Sequence, residues 1–207
     1  MFALVDKSDN SITRMLSGNK GITIGDNQYP RAIFSLWSES ERNAINIYTI
    51  TIDESKRKNE EWYINTNITY AFDGTNATGS YGDATAKAHA DTTWTQKEID
   101  DGKAPEGADT DTVKEKGLKT VLIRQVKSQA ENELNRTDWY ITRKSEKNTA
   151  IPSAITTHRD AVRTKQDSMC TAITNASDTP ALETLYTYTT QEDGSVTRPL
   201  GELPTLE

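Results

Sequence analysis

The chain has 207 residues, 34% of them hydrophobic, and a formal charge of -7, with a pI near 5.0. So low an apolar share allows one large domain or two small ones around a modest core. The acidic balance leaves no basic surface to neutralise phosphates or anionic head groups, so neither nucleic acid nor a membrane is an expected partner.

No apolar run approaches the roughly 18 residues of a spanning helix. Met1-Phe2-Ala3-Leu4-Val5-Asp6 turns polar too early for a secretory signal, so the protein is expected to stay where it is made. The lone Cys170 rules out an internal disulfide framework and suits a reducing compartment. Without a secretory context, the sequons at Asn67, Asn76, Asn135 and Asn175 are read as chance.

In chain order, Phe2 to Val5 and Ile12 to Leu16 read as two strands around a polar turn, a β-hairpin. Ile22-Thr23-Ile24 runs into Gly25-Asp26-Asn27, residues that tolerate positive φ and suit a tight reversal. Ile33, Phe34, Leu36 and Trp37 form a dense apolar knot, the expected N-terminal core. Ser38 and Glu41 have capping-box spacing and predict a helix from about 38 to 46, after which Ile45 and Ile47 close over the knot.

Ile47 to Ile52 alternates β-branched and polar residues, as strands do. Trp62-Tyr63-Ile64 and Ile68 to Phe72 continue in that style, and Asp73-Gly74-Thr75-Asn76 predicts a turn into a partner strand over 77–81, giving an antiparallel sheet. Between 83 and 116 aliphatic residues nearly vanish, so a polar acidic linker or loop is expected there.

Leu118, Val121, Leu122, Val126, Ala130 and Leu134 then share one helical face. Ile155, Val162, Met169 and Ala176 recur at seven-residue steps after Pro152, and the two helices are expected to pair antiparallel. Their connection carries Trp139 and Tyr140, which exposure would penalise, so it is expected to pack on the helical pair. Thr179-Pro180 starts a short helix, Asp193-Gly194 reads as a hairpin turn, and the Leu-Pro tail reads as a docking segment. The fold class is therefore α+β: a β-rich region over 1–82, the linker over 83–116, a helical hairpin over 117–188 and an extended tail over 189–207.

No catalytic constellation emerges. His89 and His158 lack partner motifs, and His158 reads as a helix-surface or interface residue. Cys170 beside Met169 reads as a packing thiol. The carboxylates Glu98, Asp100, Asp101, Glu106, Asp109 and Asp111 lack EF-hand spacing and read as a solvated acidic stretch. Lys56-Arg57-Lys58 is flanked by Glu54, Glu60 and Glu61, and Gly74, Gly79 and Gly82 form no phosphate loop. No catalytic residue, cofactor or metal ligand is expected, and a carboxylate hydrolase using Glu60 or Glu61 has no spacing to support it.

Three segments resemble pieces of small proteins of tailed bacteriophages, particularly those infecting marine bacteria and cyanobacteria. Residues 24–38 with Ile45-Asn46-Ile47-Tyr48 resemble an N-terminal module of phage tail-fibre-associated proteins, and the stretch from Trp62-Tyr63 to Tyr70-Ala71-Phe72-Asp73-Gly74 carries a further match. Thr137 to Lys144, Ala150-Ile151-Pro152 and His158 to Arg163 are similar to the C-terminal helical segment of tail assembly chaperone and tail-fibre assembly families, where a Trp after an Asp precedes paired helices. His158 stands where an aromatic such as Tyr is expected. The matches cover roughly half the chain and rest on aromatic and turn motifs of moderate specificity. The resemblance implies a non-catalytic tail structural or assembly protein, oligomeric within the virion and made in the host cytoplasm, whose partners are other phage structural proteins. A non-virion assembly chaperone and a carbohydrate- or receptor-binding module with rings stacking on sugar are the alternatives. Trp37, Trp62, Trp139 and Tyr140 are the candidate interface anchors, burial in the core being the alternative for each.

Overall fold

The computed structural model describes residues 1–206. It is an α+β fold whose chain divides into two compact units, one from Met1 to Thr85 and one from Ala86 onward.

In the first unit, β1 (Phe2–Asp6) and β2 (Ser11–Leu16) form the expected antiparallel hairpin, Phe2 facing Leu16 and Asp6 facing Ser11. Asn10 takes the left-handed conformation (φ 59°) that closes the turn. β3 (Ile22–Ile24) and β4 (Asn27–Tyr29) form a second hairpin around Gly25. A single turn of helix, α1 (Ile33–Leu36), leads to α2 (Glu39–Ala44). The Ser38 hydroxyl accepts the Glu41 N–H while the Glu41 carboxylate accepts the Ser38 N–H, the reciprocal cap that the spacing predicts.

β5 (Ile47–Asp53) pairs antiparallel with β1. After β6 (Tyr63–Ile64), β7 (Thr69–Phe72) and β8 (Ala77–Ser80) form an antiparallel hairpin. The Asp73 carboxylate fastens its turn by accepting the N–H groups of Thr75 and Asn76 at 2.8 and 2.7 Å.

The strands order as β2-β1-β5-β8-β7. One pairing departs from the antiparallel expectation, because β5 and β8 run parallel, Ile50 facing Ala77. Parallel neighbours need a crossover of a dozen or more residues, and residues 54–76 supply it. The two edge strands, β2 and β7, approach one another, so the sheet curls towards a barrel.

Period-two alternation sorts the side chains between two cores. Ala3, Val5, Tyr48, Ile50, Phe72 and Ala77 fill the concave side, with the Tyr48 and Phe72 rings 4.5 Å apart. Phe2, Leu4 and Ile47 face the other way, onto Ile22, Ile33, Phe34, Trp37 and Ile45. Leu36, placed by its sequence neighbours in that knot, is 80% exposed instead. It ends a one-turn helix, and Trp37, where the chain turns extended, takes up the packing.

β9 (Thr85–Ala86) spans the boundary, and the second unit begins at Ala86. The segment expected as a polar linker carries β10 (Thr92–Thr93), α3 (Gln96–Asp100) and β11 (Val113–Glu115), with β10 and β11 paired antiparallel. It holds this structure with few aliphatics because polar groups fix its backbone. Thr95 and Glu98 form a second capping box, and Lys114 reaches both the Glu98 carboxylate and the face of Trp94, 5.0 Å from the ring centre. The segment also caps α4 (Leu118–Asn135). Leu118 and Lys119 donate their N–H groups to the Ala88 and His89 carbonyls, both at 2.9 Å, and Gly117 donates to the Asp91 carboxylate at 2.8 Å.

α4 pairs with α6 (Ser153–Asn175), burying Leu122, Val126 and Ala130 of one and Ile155, Val162, Met169 and Ile173 of the other. The pair is antiparallel: Lys119, near the start of α4, bonds the Thr174 carbonyl near the end of α6, while Arg159 near the start of α6 bonds Leu134 near the end of α4. α7 (Thr179–Tyr186) starts at Asp178, whose carboxylate accepts the Ala181 N–H, with Pro180 in its first turn.

The tail is not simply extended. β12 (Thr189–Thr190) and β13 (Val196–Thr197) pair around Asp193-Gly194. Leu200 is then buried, its N–H on the Leu185 carbonyl and its carbonyl held by Lys165 at 2.8 Å, so the tail docks on its own unit.

Candidate interaction surface

Between α4 and α6 lies α5 (Asp138–Lys147). Sequence pattern reads these residues as part of a connection packed on the helical pair; they form a ten-residue helix that leaves Trp139 and Ile141 exposed.

Arg159 of α6 fixes where α5 begins. It is buried, and its Nη1 donates to the Leu134 carbonyl at 2.8 Å and to the Thr137 hydroxyl at 2.6 Å and lies 2.8 Å from the Asp138 carboxylate in an ion pair. Thr137, 1% exposed, donates in turn to the Leu134 carbonyl. The last turn of α4, the α4–α5 corner and the first residue of α5 thus share one guanidinium, whose charge Asp138 balances. At the other end Asn148 closes α5 in the left-handed conformation (φ 53°), with its N–H on the Lys144 carbonyl.

On this fixed helix Trp139 is 52% exposed and Ile141 43%. The Trp139 and Tyr140 rings lie 3.8 Å apart at 31°. The Arg143 guanidinium sits over both, 4.8 Å from Trp139 and 5.2 Å from Tyr140. Its Nε is shielded from water with no hydrogen-bond partner, and both rings face the cation. Lys144 and Lys147 stand exposed beside them. The result is an aromatic and cationic face, the composition that concentrates binding energy in protein interfaces.

A carboxylate cluster lies one turn back along α4. Glu133 accepts Arg136 at 3.0 Å and the Leu206 N–H at 3.1 Å. His158 Nε2 lies 3.2 Å from Glu133, within ion-pair reach but out of line for a hydrogen bond. Burial pushes the Glu133 carboxyl upward, but the bonds from Arg136 and Leu206 and the nearby cations outweigh it and hold the group below its ordinary value. The cluster ties the tail to α4.

The other candidates fall elsewhere. Trp62 is 2% exposed and Tyr63 6%, which leaves no ring face there for a sugar. Trp37 is half-buried, edge-on to Tyr29 at 6.0 Å. Of the four expected anchors, Trp139 and Tyr140 share a surface, and Trp37 and Trp62 belong to the packing of the first unit. Cys170 is half-buried, and burial raises its thiol above the ordinary value, away from nucleophilic use. Among the described residues no group of three His, Cys, Asp or Glu side chains is placed to hold a metal, and no helix is long and apolar enough to cross a membrane.

Sequence reading missed Ile141, Arg143 and Arg159. Trp139 and Arg143 are four residues apart, the spacing that stacks side chains on one helical face, and that signal was available. Nothing local marks Arg159 as the corner's anchor. No protein-family model, curated protein or solved structure matches the chain.

Proposed function

We propose that this protein is a bacteriophage tail structural or assembly component that acts through protein–protein contacts, with the outward face of α5 as its contact surface. The observation that supports it best is the Trp139–Tyr140–Arg143 stack, held outward on a helix locked at both ends. A soluble monomer gains nothing by presenting an indole and an isoleucine to water, whereas a partner that covers them recovers their transfer free energy. Pre-organisation by Arg159 and Asn148 removes part of the ordering cost of binding. The resemblance of residues 137–144, 150–152 and 158–163 to tail assembly families falls on this same helix, on the residues that lead into its neighbour α6 and on the first half of α6.

Truncating a central interface tryptophan costs about 2 kcal/mol or more, roughly thirtyfold in affinity. Trp139→Ala is therefore expected to lose incorporation into tails or support of their assembly while keeping wild-type circular dichroism. Normal assembly with the variant would remove α5 from the reading. A component that stays in the particle and a chaperone that leaves it would use the same face, and the presence of the chain in purified particles separates them.

A further inference from the structure

We propose that copies of this chain associate head to tail, the acidic β10–β11 hairpin of one copy docking on the basic aromatic face of α5 in the next. The inference rests on α5 being a contact surface and names its occupant.

Charge within the second unit is segregated along α4. Residues 98–111, between β10 and β11, hold six carboxylates and one lysine. Glu98 and Asp101 are engaged by Lys114, Lys97 and Lys103, but none of the ion pairs among the described residues takes up Asp100, Glu106, Asp109 or Asp111. At the other end, residues 136–147 hold four cations and two carboxylates, of which Arg136 is committed to Glu133 and Asp138 to Arg159. Lys144 and Lys147 are exposed and enter no such pair, and Arg143 is spent on the two rings.

These opposite poles are kept apart within one molecule. The hairpin is anchored where α4 begins, through Gly117, Leu118 and Lys119. α5 leaves where α4 ends, and the 18 residues between span about 27 Å. The surplus carboxylates at one end therefore complement the surplus cations at the other end of a second copy, and Trp139 and Ile141 lie within the area that contact covers. A contact between two different patches is heterologous, so it repeats from copy to copy and builds rings or filaments rather than a closed dimer.

Sedimentation velocity of the full chain tests this at ~20 mM and ~0.5 M salt, since exposed charges are screened at the higher strength. The wild type is expected to show about a twofold or larger rise in average mass with concentration in low salt, and none in high salt. K144E/K147E and E106K/D111K alter exposed side chains only, and each alone is expected to stay monomeric. Mixed in equal amounts they are expected to associate again, because each altered face then meets its complement. A monomeric wild type in low salt, or a mixture no heavier than its parts, overturns the proposal. If such a monomeric chain still enters particles, the proposed function stands without self-association.

Discussion

Arg159 ties α6 to the end of α4 and the start of α5. Its replacement by alanine leaves the buried Thr137 hydroxyl and the Leu134 carbonyl short of a charged donor and Asp138 without its cation. Because Asp138 is half-exposed and water takes over part of its solvation, Arg159→Ala is expected to cost on the order of 2–3 kcal/mol. Chemical denaturation checks the value, and a change below about 0.5 kcal/mol would mean the corner holds without it. A second residue-scale expectation concerns Glu98, which hydrogen bonds from Lys114 and from the Thr95 backbone and hydroxyl bring down from 4.5 to about 2. A depressed carboxylate stabilises the fold fully above its ordinary value, and that contribution is lost as pH falls from 4.5 towards 2. An NMR titration of Glu98 should show the low midpoint, and Lys114→Met should move it back upward; an unshifted midpoint in the wild type would contradict the contact.

At the scale of elements, the β10–β11 hairpin and the start of α4 are joined at Gly117, where a Cβ would collide with the Ala90 backbone. Gly117→Ala is expected to cost on the order of 1–3 kcal/mol, read as a lower melting temperature with faster amide exchange at Leu118 and Lys119. Retained exchange protection would show the hairpin free of α4. This element also shows how far the sequence could be read. The Ser38–Glu41 cap announced α2, and Thr95–Glu98 has the same spacing, yet its helix lies in a stretch whose composition argues for a loop. Strand alternation and the seven-residue steps of α6 were legible because they are periodic and local. The parallel β5–β8 pairing was not, because it depends on which strand returns beside β5 after a 23-residue crossover over residues 54–76, which no local pattern encodes. α5 was hidden by Trp-Tyr-Ile-Thr, residues that favour strands in isolation and are overruled here by the Arg159 anchor. Two of the four candidate anchors fell on α5, since aromatic content is visible in sequence, but exposure is a property of the packed chain.

For the whole molecule, the two units divide two tasks. The first buries Tyr48, Phe72, Trp62 and Tyr63; the second exposes Trp139 on α5 and separates its charges along α4. The central claim is that the α5 face serves contacts in a phage tail. Its most direct test is quantitative mass spectrometry of particles purified from cells infected with the encoding virus, carrying either the wild-type chain or Trp139→Ala. The account predicts the wild type at a fixed copy number in particles, or depleted from them but required for tails to form. In either case the function should fall at least tenfold with Trp139→Ala while the folded variant persists in the cell. Wild-type chain absent from particles, with tails forming normally when it is deleted, would contradict the account.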